Sequence, residues 1–268
     1  MLEKARTVDA QVRYINAEWK TRPETPRIGS RETRRAATSF QEVKVHDARP
    51  RFNEGQIDLD RSGFTLSNNA SNLTDFHDSD AVQATYYKEM SDLVCRVSGA
   101  DQALVRSHLV RTESPVDFND GYARFVHCDY NVRRLREMSE ELLEQQGITP
   151  KSSWRYAWYN TWQPFDNIVE QNPLAVIDWE SLPLEDVIDY FYTGRGMDSL
   201  VAAPVYSTDH KFCYFPTMQL DEVLVMKQMD ERPDRAVYCP HTSFDDPTAP
   251  TDALPRRSIE TRLMAVFQ

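Results

Sequence analysis

The chain has 268 residues and a formal net charge of −11, from 42 acidic against 31 basic side chains, a balance that argues against nucleic acid as a partner and favours a small or neutral ligand. Hydrophobic residues make up 40% and aromatics 11%, enough for a core and a lined cavity, yet no window approaches the roughly 18 apolar residues of a membrane span. Met1 to Thr7 has no apolar secretory core, and Cys95, Cys128, Cys213 and Cys239 lack Cys-x-x-Cys spacing, so a cytoplasmic protein with reduced thiols is expected.

Residues 1–60 read as a partly irregular N-terminal arm, with short strands near Ala10 to Ile15 and Val43 to Val45 and breaks at Pro23, Pro26 and Pro50. Arg27, Arg31, Arg34 and Arg35 form a basic run there, either a solvated segment or an arm folded over a site mouth or a second subunit. From Gly63 a short strand passes into an Asn- and Ser-rich turn. Asp78, Ser79 and Asp80 then cap a helix over about 80–98, with Val82, Tyr86, Met90, Leu93, Val94 and Val97 on one face and Gly99 as its stop. A buried strand follows over 102–112, in which His108 is structural. The segment 121–126 is a strand delivering Val126-His127-Cys128-Asp129-Tyr130, and an amphipathic helix over about 131–146 buries Leu135, Met138, Leu142 and Leu143.

Strand alternation over 154–164 places Trp154, Tyr156, Trp158, Asn160 and Trp162 on one face. Asn160 facing inward requires a hydrogen-bond partner, either neighbouring backbone or the carboxylate of a bound co-substrate. Further on come a strand over 173–178, a helix over about 183–191, and two strands, 212–218 and 222–229, joined by a tight turn near Leu220 and Asp221. Residues 242–256 form a Pro- and Asp-rich loop between His241 and a closing strand over about 256–267.

Many short strands with a few outer helices point to a mainly β fold with flanking helices, a double-stranded β-helix (jelly roll, cupin-like), over 61–268. His127 and Asp129, two apart, project to the same side, and His241 supplies a second imidazole. Two imidazoles and one carboxylate on one face of a metal leave opposite positions open, the arrangement of non-haem Fe(II) oxygenases. On the last strand Arg256, Ser258, Glu260 and Arg262 share a face. An arginine fork with a nearby serine suits a dicarboxylate such as 2-oxoglutarate. Nucleotide-binding and nucleophile-elbow motifs are absent, and a zinc hydrolase gives no reason for the Arg-x-Ser face.

Several segments in order then carry a resemblance: Gly63-Phe64, Asp75-Phe76, Ser98-Gly99-Ala100, His127-Cys128-Asp129-Tyr130, Asn160-Thr161-Trp162-Gln163-Pro164, Pro240-His241-Thr242-Ser243-Phe244 and Pro255 through Arg262. From about residue 60 onward the chain resembles the fungal and bacterial hydroxylase/desaturase family that includes gibberellin desaturase-like and cephamycin methoxylation proteins. The resemblance implies a jelly-roll oxygenase of secondary metabolism using Fe(II), 2-oxoglutarate and O2. It departs at Gln163, where that family usually has arginine, removing one charge near the expected site.

The expected site is therefore His127, Asp129 and His241 on Fe(II), with Arg256 and Ser258, assisted by Arg262 and Asn160, on 2-oxoglutarate. Trp158, Trp162, Gln163 and Phe212 are candidates for a substrate wall around a small natural product. The alternatives are a non-catalytic cupin-like partner of a biosynthetic enzyme and a zinc hydrolase; a homodimer or a biosynthetic partner protein also fits the resemblance.

Overall fold

The structure is a computed structural model that describes residues 6–114 and 122–268. Thirteen strands run in chain order among the described residues. They are β1 (Thr7–Ile15), β2 (Arg27–Ile28), β3 (Thr38–Asp47), β4 (Phe64–Asn68), β5 (Gln102–Arg111), β6 (Arg155–Pro164) and β7 (Leu174–Ile177), then β8 (Val187–Tyr192), β9 (Ser199–Pro204), β10 (Phe212–Tyr214), β11 (Glu222–Asp230), β12 (His241–Ser243) and β13 (Ser258–Phe267). Two five-stranded sheets, ordered β1-β3-β10-β7-β12 and β4-β11-β6-β13-β5, and a three-stranded sheet, β2-β8-β9, account for them.

The two large sheets face one another in the double-sheet arrangement of a jelly roll. Phe64, Leu66, Trp162, Leu224 and Met226 of the second sheet pack with Leu174, Val176 and Cys213 of the first. After α1 (Arg31–Ala37) and α2 (Arg49–Asn53), a helical segment made of α3 (Ser79–Ala81), a π turn at Val82–Tyr86 and α4 (Tyr87–Ser98) closes the outer face of the second sheet. Asp78 caps it by accepting from the Asp80 and Ala81 amides, and Gly99, at φ 73°, ends it in a left-handed conformation that suits glycine. A further helix, α5 (Leu135–Gln145), buries Leu135, Met138, Leu142 and Leu143 against Trp154 and against Tyr156 and Trp158 of β6.

The alternation expected on β6 separates two environments. Ala157 and Tyr159, with Val225 of β11, face α4, while on the other face Trp158 packs in the α5 cluster and Trp162 enters the space between the sheets. β6 is flanked on both sides, by β11 and β13, which explains why it is apolar and buried almost throughout.

Three expectations are corrected. The helix over 183–191 is a short 3-10 turn, Leu184–Asp186, followed by β8, whose Val-Ile-Asp-Tyr-Phe-Tyr run is β-branched and aromatic and pairs antiparallel with β9. β10 and β11 do not form a hairpin: β10 lies between β3 and β7, whereas β11 lies between β4 and β6 in the other sheet. The residues around His127 form isolated bridges, Phe125 to Arg13 before it and Cys128 to Ala202 after it, instead of a regular strand; Gly121 lies outside the described residues. The N-terminal strands are longer than the sequence suggested, and β1 and β3 pair over nine positions in the sheet that also carries His241.

Candidate active site

His127 and His241 meet through a bridge between their own backbones, with the His127 amide donating to the His241 carbonyl at 3.2 Å and the reverse bond at 3.0 Å. Residues so paired hold their side chains side by side, and the ring centroids lie 4.7 Å apart. Each imidazole places Nδ1 against a backbone carbonyl, Phe125 at 2.6 Å and Cys239 at 3.1 Å. With Nδ1 donating, the Nε2 lone pairs are left for a metal, the usual way in which a ligating histidine is oriented. Both Nε2 atoms point at the Asp129 carboxylate, 3.7 Å from Oδ1 and 3.8 Å from Oδ2. One ligand atom from each of the three residues lies within 4.8 Å of the others.

The carboxylate is held from behind. Arg262 donates to Asp129 Oδ1 at 3.0 Å, Asn160 donates to Oδ2, and the Asp129 amide donates to Gln228 Oε1 at 3.2 Å. Arg262 and Asn160 are direct partners in the β13–β6 register, so two neighbouring strands aim at one group. Burial alone would raise the Asp129 carboxyl, but Arg262 and the two imidazoles hold it well below the usual carboxylate range. His241 is pushed down by burial and by its neighbour His127, which favours the neutral, ligating form. The donor set of two neutral imidazoles and one ionised carboxylate fits Fe(II) with open positions.

Arg256 and Ser258 lie further along the same face of the final segment. The Arg256 side chain is 1% exposed and donates from Nη1 to the Asn172 carbonyl at 2.8 Å. Its guanidinium lies 4.2 Å from the centroid of the Tyr122 ring and 5.3 Å from that of Trp162. Among the described residues its buried Nε and the buried Ser258 Oγ have no hydrogen-bond partner. Burial, reinforced by nearby Arg111, pushes the Arg256 guanidinium down to about 9. A buried cation and an adjacent hydroxyl left unpaired make a receptor for an anion, since buried polar groups are otherwise satisfied. The residues present therefore fit the carboxylate of 2-oxoglutarate.

A cavity of about 350 Å³ opens at the metal-ligand cluster, with His127, Asp129 and Arg262 in its wall. Tyr122, Phe125, Tyr130, Tyr190 and Tyr192 supply its aromatic surface, and Ile28, Gly29, Ser30 and Arg34 of the N-terminal segment contribute to it as well.

Two groups of expected site residues find other partners. Arg262 and Asn160 are engaged with Asp129, and Arg262 also with Glu260 at 2.9 Å. Trp158, Trp162, Gln163 and Phe212 do not line the cavity. Trp158 donates its indole N–H to Ser139 at 2.9 Å within the α5 cluster, Trp162 packs between the sheets, and Phe212 packs among β1, β3 and β7. Gln163 faces α4, where it accepts from the Tyr86 hydroxyl at 2.7 Å and donates to the Asn69 and Leu220 carbonyls at 2.9 and 2.6 Å. An arginine there would meet those carbonyls, so the departure at Gln163 lies outside the site. His108 is structural as expected, its Nδ1 3.0 Å from the Tyr87 hydroxyl. Sequence reasoning missed Gln228 and Tyr122, whose roles come from segments distant in sequence, and the Phe125 and Cys239 carbonyls, each two residues before its histidine, which no side-chain pattern marks.

A double-sheet fold carrying this triad beside a buried Arg-x-Ser defines a non-haem Fe(II)- and 2-oxoglutarate-dependent oxygenase. The comparisons agree. The chain is 31% identical to the hydroxylase/desaturase efuI of Hormonema carpetanum over 272 residues, covering 90% of this chain and 89% of that one. It is 29% identical to the Fe(II)/2-oxoglutarate-dependent dioxygenase nvfI of Aspergillus novofumigatus, covering 83% and 82%. A solved structure of a variant of the iron and alpha-ketoglutarate-dependent endoperoxidase NvfI superposes with a TM-score of 0.84 at 25% identity, covering 100% of this chain and 99% of that one. The family described as "Oxidoreductase/YMDC permease-like domain" matches residues 10–267, and the chain belongs to it.

Proposed function

We propose that His127, Asp129 and His241 hold Fe(II), that Arg256 and Ser258 hold the distal carboxylate of 2-oxoglutarate, and that the substrate is a small natural product hydroxylated or desaturated in the cavity beside them. The observation that carries this reading is the pairing of a three-ligand cluster with a buried, anion-seeking Arg-x-Ser at the start of β13.

When bound, Fe(II) and 2-oxoglutarate supply the oxidative chemistry, in which O2 and the keto acid are consumed, succinate and CO2 are formed, and a substrate C–H bond is oxidised. The protein supplies position and exclusion of water. The Phe125 and Cys239 carbonyls hold the Nδ1 protons, so the imidazoles offer Nε2 in a fixed direction. Asn160 and Arg262 restrain both oxygens of Asp129, and their charge and N–H groups keep it ionised. Tyr122 covers Arg256 and donates its hydroxyl to the Arg256 carbonyl at 2.6 Å, which excludes water from the guanidinium and strengthens its bond to an anion.

The relatives support an oxidative role through their names, hydroxylase/desaturase for efuI and alpha-ketoglutarate-dependent dioxygenase for phiK of a fungal strain. The test is anaerobic titration of the Fe(II)-loaded protein with 2-oxoglutarate, followed by oxygen-dependent succinate formation. Saturable binding and succinate release that Asp129→Ala abolishes are expected. A metal-loaded protein that binds no 2-oxoglutarate, or an Asp129→Ala variant with unchanged turnover, overturns the assignment.

A further inference from the structure

We propose that the substrate of this oxygenase is an acid, a small molecule bearing at least one carboxylate that the cavity wall recognises through arginine. The proposal rests on the oxygenase reading above and names the substrate class for the same site.

The chain as a whole is acidic, at −11. The cavity is the reverse: seven arginines, Arg34, Arg106, Arg111, Arg124, Arg134, Arg195 and Arg262, line it, and among the described lining residues the single carboxylate is the metal-ligand candidate Asp129. Such an excess is not a by-product of composition, because acidic side chains outnumber basic ones in the sequence. It is also not drawn from one segment. Arg34 comes from α1 (Arg31–Ala37), Arg106 and Arg111 from β5, Arg124 from the segment leading to His127, Arg134 from the turn before α5, and Arg195 from the turn after β8. Six chain regions thus converge on one concave space, counting Arg262 of β13.

Most of these arginines have engagements of their own, Arg34, Arg111 and Arg195 included. Arg262 is bound to Asp129 and Glu260, Arg124 to Asp245 at 2.7 Å, and Arg134 to Glu137 at 3.5 Å. Asp245 and Glu137 are both largely exposed, so these pairs are screened by solvent. Arg106 makes no hydrogen bond or ion pair among the described residues; its guanidinium stands 5.7 Å from the centroid of the Trp158 ring. A planar guanidinium resting on an aromatic face keeps its N–H edge available, which is the geometry that binds a carboxylate by two parallel bonds. Charges of one sign gathered around one concave space add their fields there, so an anion is drawn in while the acidic exterior repels it elsewhere.

The distal carboxylate of the co-substrate does not account for this wall. Its proposed anchor, Arg256 with Ser258, is not among the residues lining the cavity and is covered by Tyr122. The cavity's aromatic and aliphatic residues, Phe125, Tyr190 and Leu109 among them, fit the carbon skeleton of an acid that is mostly apolar.

The experiment compares 2-naphthoate with its neutral isostere 2-naphthalenemethanol, by fluorescence titration of the full-length protein under anaerobic conditions with Fe(II) and saturating 2-oxoglutarate. Naphthoate is expected to bind at least about tenfold more tightly, to weaken as salt rises, and to lose about three- to tenfold in Arg106→Gln and in Arg134→Gln, with the alcohol unaffected by either change. A second measurement, the affinity of each variant for 2-oxoglutarate, is expected to match the parent protein, which separates loss of an anion contact from loss of fold. Equal affinity for acid and alcohol, a preference that both variants retain in full, or displacement of naphthoate by 2-oxoglutarate overturns the proposal. Should the protein bind no 2-oxoglutarate at all, the oxygenase reading falls, and the acid-to-alcohol ratio and its dependence on Arg106 and Arg134 still decide whether the cavity selects acids.

Discussion

Asp129 gathers more of the site than any other residue: it faces both imidazoles, and Asn160, Arg262 and Gln228 all contact it. Asn160→Ala removes one restraint on the carboxylate without removing a ligand, so Fe(II) affinity is expected to fall roughly ten- to a hundredfold, the range found when partners of metal ligands are lost. Equilibrium competition with a metallochromic chelator measures it, and an unchanged affinity would show that Asn160 does not position Asp129. Arg256 predicts a different signature. A charge-assisted bond in a buried site is worth about 1.5–3 kcal/mol, so Arg256→Met is expected to raise the Kd for 2-oxoglutarate roughly ten- to a hundredfold while Fe(II) binding persists. Ser258→Ala, which removes a neutral hydroxyl worth about 1 kcal/mol, is expected to cost a smaller factor.

At the scale of the element, β6 shows how a strand divides its duties. Its residues facing α4 are structural, and Gln163 there satisfies two backbone carbonyls and one tyrosine hydroxyl. Gln163→Ala leaves these buried groups unpaired and is expected to destabilise the fold by about 1–3 kcal/mol in urea denaturation. The affinity for 2-oxoglutarate should stay unchanged; a selective loss of that affinity would return Gln163 to the site. The period-two pattern of β6 was legible from its residues, including the shared face of Trp158, Asn160 and Trp162. What that face meets was not legible: Trp158 is taken up by α5 and Trp162 by the opposite sheet, leaving only Asn160 beside the ligand cluster. The misreading of 183–191 as a helix has a similar cause. Its apolar positions match both periods, and the ladder with β9, a partner lying beyond an intervening turn, decides for the strand.

At the scale of the whole molecule, the buried polar groups make stability depend on pH in one direction. His210 is buried between the Tyr14 hydroxyl at 3.0 Å and Asp186 at 3.2 Å, near Asp209 and Lys20, and burial lowers its pKa despite the carboxylate. A histidine in the unfolded chain takes its proton near pH 6.5, so below that value the unfolded state binds more protons than the folded one. Stability is therefore complete above about pH 6.5 and declines as the pH falls toward the lowered value. His46 and His108, also lowered by burial, act in the same sense, and the ion-paired Glu222 and Asp230 extend the loss further into acid. The urea midpoint is expected to be lower at pH 5.5 than at pH 7.5, with His210→Gln reducing the difference; a midpoint that rises on acidification contradicts this account.

The sequence by itself determined the class of fold and the chemistry of the centre. Alternation sets which residues share a strand face, and the residue types His127, Asp129, His241, Arg256 and Ser258 carry their ligand chemistry wherever they are placed. Tertiary structure alone decided which groups each of them meets. The two imidazoles come together through a backbone bridge across 114 positions, the difference between 241 and 127, and the aromatic and arginine wall is assembled from segments between Ile28 and Arg262. Side-chain periodicity is a local property of the backbone, whereas a cavity is a property of how sheets and loops close over one another. Hence the acidic composition, which favoured a small or neutral ligand when read along the chain, gives way to an arginine-rich cavity wall among the described residues once the chain is folded.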